Sequence, residues 1–389
     1  MTLAAPPTSV EKYAAAFESL SDSGTPGWLI ATRLQAWANF SELGIPTARR
    51  GNELWKYTNL RPLADAGFEY GQIGPVSLDQ IKSAGPWDDA WDTVVVVDGN
   101  FSAQLSSLNG TPGLTAGSLG EAIAAGTDNL ESQFASLAGR ENYAFTALNT
   151  AFAADGAYIG IAADTRLAIP VQVVFVTSDP TSSRATYPRL LISASSNSSL
   201  TIVESYINLS ESSQLTVPVT EVFSDHDSQI RHYRIQIENE KSFHIGTARV
   251  NQKAGSSFTS TSFATGALIG RNDVHTQLDE PGAECTLHGL YMTSGQQQHQ
   301  QDRNQRAAIR QRHHRLLADQ PHQSDGNDAS RHHSQHQWSG WKAGYRIIVL
   351  HFHASPSLLR RSSRRRSIAR RRRLRLRATM MRHPMLAST

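Results

Sequence analysis

Apolar residues recur with two different periods along this chain, and the change falls near residue 156. Before it the spacing is helical. Thr8-Ser-Val-Glu11 has the form of a capping box and predicts a helix running to about Leu20. A second helix is expected over 28–43, with Leu29, Leu34, Trp37 and Phe40 near helical spacing and Gly44 and Pro46 as its stop. Residues 86–130 mix a short apolar strand at 93–97 with Gly/Ser-rich loops and a short helix near 119–125. A helix over 141–155 then ends at Gly156.

From there the period is two. Strands are expected at 157–162, 171–177, 189–194, 200–207, 214–223, 229–238, 243–250, 257–264 and 274–279, with starts mostly 10–16 residues apart. Short strands at near-even spacing suit a sandwich, a barrel or a β-helix. Two features favour the β-helix. The turns are rich in Ser, Asn, Asp and Gly, yet the tight hairpin signals, Asp98-Gly99 and Asp155-Gly156, precede this region. The strands also run on without a break, as stacked coils do. The expectation is therefore a mainly β chain: a helical N-terminal domain (1–85), a mixed α/β linker region (86–156), a right-handed parallel β-helix (157–295) and a basic tail (296–389), disordered or read out of frame. Ile202, Val222, Ile235, Ile237 and Ile245 are expected to point inward.

Charge sharpens the last boundary. Residues 1–295 carry a net −13 and residues 296–389 a net +16, which add to the chain's formal +3. Ten of the 15 histidines lie in the tail, and no glutamate follows Glu284. Few apolar residues lie between Gln296 and Gln337, so no core is expected there; 346–352 could form an isolated strand. Three readings of the tail stay open. One is a frameshift near codon 296, since out-of-frame GC-rich codons give Arg, His, Gln, Ser and Pro. Another is a genuine basic arm: the Arg-dense run at 360–377 would neutralise phosphates but lacks aromatics to stack on bases, so nucleic acid is not an expected partner of the body. The third is a His tract for metal, around His313-His314 and His332-His333.

The body carries little recognisable chemistry. It has no Walker A sequence, nucleophile elbow or His-Glu-x-x-His helix. Its single cysteine, Cys285, rules out an intramolecular disulfide and fits a reducing compartment; it reads as a small buried hydrophobe. His288 falls on the opposite strand face by parity, which argues against a shared metal site. His226, His232 and His244 read as solvent-facing or satisfied packing residues, and Asp225, Asp227 and Asp279 form no evident catalytic pair. No catalytic or metal-binding residue is expected, and no enzyme. Without an apolar run of membrane length or a secretory signal, no membrane contact and a cytoplasmic location are expected.

One stretch is hard to produce by core patterning alone: Glu53-Leu-Trp55-Lys56-Tyr57-Thr58, just after the Gly-Ile-Pro stop. It resembles the signature of the SufD branch of the SufB/SufD family, scaffolds of the SUF iron–sulfur cluster assembly machine. The helix at 145–156, Pro188–Ile192 with Ile202–Tyr206, and 266–272 (with Arg271 and Asn272) followed by 282–291 (with Gly289) are similar to successive family segments, in order. The resemblance covers about 28–295. It implies a non-enzymatic scaffold acting with SufB-like and SufC-like subunits in cluster formation and iron acquisition. It also implies a transient iron–sulfur cluster shared with SufB, for which no ligand is identifiable in this chain. The family's SufC-docking helices and its interface histidine would fall in the tail, where nothing matches. On the residues alone, a carbohydrate-active β-helix or adhesin is the alternative class.

Overall fold

Punctuation in the sequence sets most element ends in the computed structural model of the chain. It describes residues 8–20, 24–48, 54–56, 58–70, 73–139, 143–178, 183–294, 297–307, 332–338 and 341–352. The helices α1 (Thr8–Glu18), α2 (Gly27–Leu43), α3 (Arg61–Asp65) and α4 (Leu78–Ala84) come first. The strands β1 (Asp92–Val97), β2 (Asn100–Phe101) and β3 (Leu114–Ser118) lead to α5 (Leu119–Ala124), α6 (Leu130–Gln133) and α7 (Ala144–Phe152). Strands follow without intervening helices: β4 (Ala157–Ile161), β5 (Val171–Thr177), β6 (Arg184–Thr186), β7 (Arg189–Ala194), β8 (Ser199–Asn208), β9 (Gln214–Thr216), β10 (Val219–Ser224), β11 (Gln229–Ile237), β12 (Phe243–Gln252), β13 (Ser257–Thr265), β14 (Ile269–Leu278), β15 (Glu284–Ser294), β16 (Gln298–Ala307), β17 (His332–Trp338) and β18 (Trp341–Phe352).

Two parallel stacks face each other. One runs β16-β14-β12-β10-β7-β4, with β3 antiparallel at its end; the other runs β18-β15-β13-β11-β8-β5-β1, with β17 and β2 antiparallel at its ends. Each coil contributes one strand to each stack, which is a parallel β-solenoid, as the turn chemistry predicts. One turn repeats at every coil. Asp164, Asn197 and Asp227, then Gly255 and Gly282, all take left-handed backbone angles at this corner. Neighbouring corners are tied by backbone bonds, Asn197 N–H to His226 O and Asp227 N–H to Ala254 O. Ser198, Ser228 and Ser256 each donate a hydroxyl hydrogen bond to the carbonyl three residues back, closing the corner.

The interior between the stacks is apolar at one side, with Val94, Val173, Leu190, Ile192, Leu200, Ile202, Val222 and Ile230 fully buried. A second cluster joins α1, α2 and α7 to the solenoid through Phe40, Trp55, Phe145, Phe152, Tyr187 and Ile245. On α2 the buried positions are Leu29, Arg33, Ala36 and Phe40; Leu34 is 56% exposed. Arg33 is accommodated because its guanidinium donates twice to Ala153 O, at 2.9 and 2.7 Å.

Several expectations need correction. Ile235 and Ile237 are half-buried on the outer face, and Ile245 is buried on the outer face beneath the helical cap, whereas Ile202 and Val222 point inward. Parallel pairing puts Ile230 beside Leu200 and His232 beside Ile202, so the inner positions of β11 are Ile230, His232, Arg234 and Gln236. The single strand expected at 214–223 is two, because Pro218 between them cannot donate to a ladder. β14 begins at Ile269, ahead of the expected 274. The coils also do not stop at 295. β16 pairs in parallel with β14, and β18 pairs with β15 and β17, so 346–352 is no isolated strand. Parallel ladder bonds use backbone groups alone, so polar side chains do not prevent a further coil from templating on the last one. The rest of the tail, including His313-His314 and the Arg-dense run, lies outside the described residues.

Candidate functional site

Of the signature stretch, Leu54, Trp55 and Thr58 meet the late coils. Trp55, 5% exposed, packs on Phe145 with ring centroids 5.3 Å apart. The Arg271 guanidinium lies 4.2 Å from the Trp55 ring centroid and donates from Nη1 to Leu54 O at 2.8 Å. Arg271 Nε is also held by the Asp273 carboxylate at 2.9 Å. Thr58, buried, donates its hydroxyl to Gln300 Oε1 on β16. A segment some 217 residues away in sequence is thus clasped by a cation over an aromatic face and by two hydrogen bonds. Lys56 is exposed, and Glu53 and Tyr57 lie outside the described residues. Asn272, 5% exposed, neighbours Gly246 in register.

Inside the solenoid a polar column crosses the apolar core. On one stack Thr186, Thr216, His244, Gly270 and His299 occupy successive coils as Cα partners. On the other, Glu204, Arg234, Ser262 and Gly289 do the same, which places the signature Gly289 in this row. Glu204 has no exposed surface. It accepts from Tyr206 Oη, from Thr220 Oγ1 at 3.1 Å and from His232 Nε2 at 2.8 Å, and Arg234 Nε lies 3.5 Å away. Arg234 also stacks over the Tyr206 ring and donates to His244 Nε2. With Nε2 accepting, the His244 proton sits on Nδ1, which donates to Glu238 at 3.1 Å. Gly246 makes this possible: a Cβ there would lie 2.6 Å from Arg234 Nη2 and 3.3 Å from His244 Nε2.

Burial by itself would push the Glu204 carboxyl up. The hydrogen bond and charge of His232, with Arg234 and Tyr206, overcome this and bring it down to about 2. Burial also holds the His244 and His299 imidazoles below the usual histidine range. The ionisable members of this network all have partners, so it can hold a fixed pattern of charge along the solenoid axis.

A second buried pair anchors the helices. Arg189 and Glu221 form an ion pair with no exposed side-chain surface. Glu221 also accepts the N–H groups of Ala135, Leu137 and Ala138 at 2.9–3.0 Å, and Arg189 donates to Asn149 Oδ1. Cys285 is a buried thiol 3.5 Å from Thr276 Oγ1, and His288 lies half-buried on the opposite face. His232 and His244 are buried and satisfied, while His226 sits at an exposed corner between Asp225 and Glu280, at 2.7 and 2.9 Å. Asp225, Asp227 and Asp279 stand at coil corners, where Asp225 and Asp279 bind Ser196 and Asn251. Among the described residues, no three His, Cys, Asp or Glu side chains are placed to hold a metal ion.

Sequence reasoning did not find the column, because β11 offers two alternating faces and the outer one is the more apolar. The corner residues carry the missing signal. Leu200, Ile230, Phe258 and Cys285 each stand three positions after Asn197, Asp227, Gly255 and Gly282, and all four point inward.

A helical cap clasped to a parallel solenoid with a charged interior defines the chain as a β-solenoid protein with a helical N-terminal region. Residues 9–173 match the SufBD protein N-terminal region, and residues 175–315 match the SufBD core domain of SUF system FeS cluster assembly. The chain belongs to the SufB/SufD family. It is 27% identical over 306 residues to an iron–sulfur cluster assembly SufBD family protein of Synechocystis, covering 75% of this chain and 66% of that protein. It is 29% identical over 111 residues to the chloroplastic protein ABCI7 of Arabidopsis thaliana, covering 28% of this chain and 23% of that one. The chain therefore spans just under two thirds of the first relative's length and about a quarter of the second's.

Proposed function

We propose that this chain is a SufD-like scaffold subunit in iron–sulfur cluster assembly, without enzymatic activity of its own. It works with a SufB-like subunit and a SufC-like ATPase in cluster formation and iron acquisition, and the cluster is cargo shared with the SufB-like partner. The observation that carries this reading is the unbroken succession of the two family regions over 9–173 and 175–315. The Trp55-Lys-Tyr-Thr58 stretch favours the SufD branch. No described helix is long and apolar enough to cross a membrane, and the single buried thiol suits the reducing cytoplasm as the place of action.

The physical logic is that of a rigid platform. Stacked coils transmit position without bending, and the Trp55 clasp fixes the helical cap to them. Co-expression of this chain with SufB-like and SufC-like subunits, followed by purification on a tag carried by the SufB-like partner, tests the reading. Recovery of a complex supports it. Failure of an intact-frame version to bind either partner overturns it.

A further inference from the structure

Asn109-Gly110 is the only Asn–Gly step in the chain. It lies in the loop between β2 and β3, and both residues are exposed. Asp92, the first residue of β1, pins the loop on either side of the step. One Asp92 carboxylate oxygen accepts the Asn109 N–H at 2.5 Å, and the other accepts the Thr111 hydroxyl. Between these pins, the Asn109 side chain and the Gly110 N–H have no hydrogen-bond partner among the described residues. Gly110 has φ +67°, and a Cβ built on it would meet nothing within 4 Å. A nucleophilic amide nitrogen and an electrophilic side-chain carbonyl carbon therefore stand one residue apart, with open space around them.

The two Asp–Gly steps of the described chain are held differently. The Asp98 carboxylate accepts the Gly74 and Ser178 N–H groups and pairs with Arg184. The Asp155 carboxylate accepts the Phe101 and Gly120 N–H groups and the Ser118 hydroxyl. Each of those side chains is turned away from the following nitrogen by its partners, whereas that of Asn109 is not.

We propose that Asn109 is a site of spontaneous deamidation. The Gly110 amide nitrogen gives up its proton to hydroxide and attacks Asn109 Cγ. The N–Cγ bond forms, the Cγ–Nδ2 bond breaks, and the leaving nitrogen takes a proton from water and departs as ammonia. Water then opens the cyclic imide at either carbonyl, leaving aspartate or isoaspartate at position 109. Glycine favours the closure because no side chain shields its nitrogen. The isoaspartyl product carries an extra methylene in the main chain between the two Asp92 contacts, so both cannot be kept. Asp92 is 5% exposed, and loss of a donor leaves a buried carboxylate short of a partner. The modification involves no partner protein, so it stands or falls apart from the scaffold reading.

The test ages the full chain in mildly alkaline buffer, folded in one sample and unfolded in urea in another. Peptide mapping by mass spectrometry follows every asparagine. An isoaspartyl-directed methyltransferase with labelled S-adenosylmethionine marks the isoaspartyl product. In the folded chain the Asn109 peptide should convert ahead of all other asparagine peptides, into two products of equal mass, one of which takes the label. Asn109→Gln, an exposed replacement, should remove the label. Hydrogen exchange over 92–97 should quicken on ageing in the wild type and stay constant in Asn109→Gln. Asn109 left intact in the folded chain, or converting no faster than the other asparagines, overturns the site. Unchanged exchange over 92–97 in chains that carry the label overturns its coupling to Asp92.

Discussion

Arg189 and Glu221 show how a buried charge is tolerated only while its partner stays. Glu221 is held by three backbone N–H groups and one guanidinium, in a place with no exposed surface. Arg189→Met should cost about 3–5 kcal/mol in urea titration, because it strands the carboxylate; a loss below ~1 kcal/mol would show that the pair is not structural. The interior histidines set a pH dependence. His244 and His299 are held below 6.5 by burial, so on acidification the unfolded chain takes their protons first. Their contribution is complete above the unfolded value and declines as pH falls below it. Glu204 acts lower: its stabilisation is present above 4.5 and is lost as pH falls through about 2. Exposed His226, raised by Asp225 and Glu280, has the opposite sign and is screened by solvent. Thermal melts between pH 7 and 5 should show Tm falling, with a shallower slope in His244→Gln. Identical slopes in the two proteins would remove His244 from the account.

At the level of elements, the corners and the clasp decide register. Gly266, at the turn between β13 and β14, has φ +79°, and a Cβ there would lie 1.6 Å from Glu238 O. Gly266→Ala should therefore lower stability by at least ~1–3 kcal/mol in chemical denaturation, through backbone strain; a neutral result would mean that the turn relaxes freely. Trp55 closes the other contact, under Arg271 and against Phe145. Trp55→Ala should cost about 3–5 kcal/mol. It should also speed proteolysis near residues 49–58 ahead of the solenoid, as seen by mass spectrometry of early fragments. Uniform digestion across the chain would deny the clasp its role. The strands β11 and β13 keep their outer residues Ile235 and Phe263 in one register row, so the outer face is itself partly apolar.

The whole molecule pairs an acidic body with a basic tail. With −13 before residue 296 and +16 after it, chains should attract one another at low ionic strength. Solubility should rise with added salt, as light scattering would reveal; salt-independent scattering would point to apolar contacts instead. The family match reaches residue 315, and β16 templates on β14, so the altered composition begins inside a region that still follows the fold. Resequencing codons 290–320 distinguishes the readings of the tail. An extra or missing base is the expected outcome if the tail is out of frame. A clean frame, with the Arg-rich tail detected in the native protein, would promote the basic arm. An out-of-frame tail would also weaken binding to a SufC-like partner relative to a frame-restored chain.

The sequence by itself determined the element types, the change of period near 156 and the parallel solenoid, because these rest on local spacing and turn chemistry: Gly44, Gly156 and the Asn, Asp and Gly corners are readable one by one. It also carried the family through Trp55, Thr58 and Arg271. Only the tertiary structure decided which face of each strand points inward. A period of two leaves that choice to the neighbouring coil, and on β11 the neighbour selects His232, Arg234 and Gln236 over Ile235 and Ile237. The polar column follows from that selection, since a buried charge is acceptable only where partners from other coils converge on it. The same holds for Trp55 and Arg271, whose meeting across 217 residues no local pattern encodes.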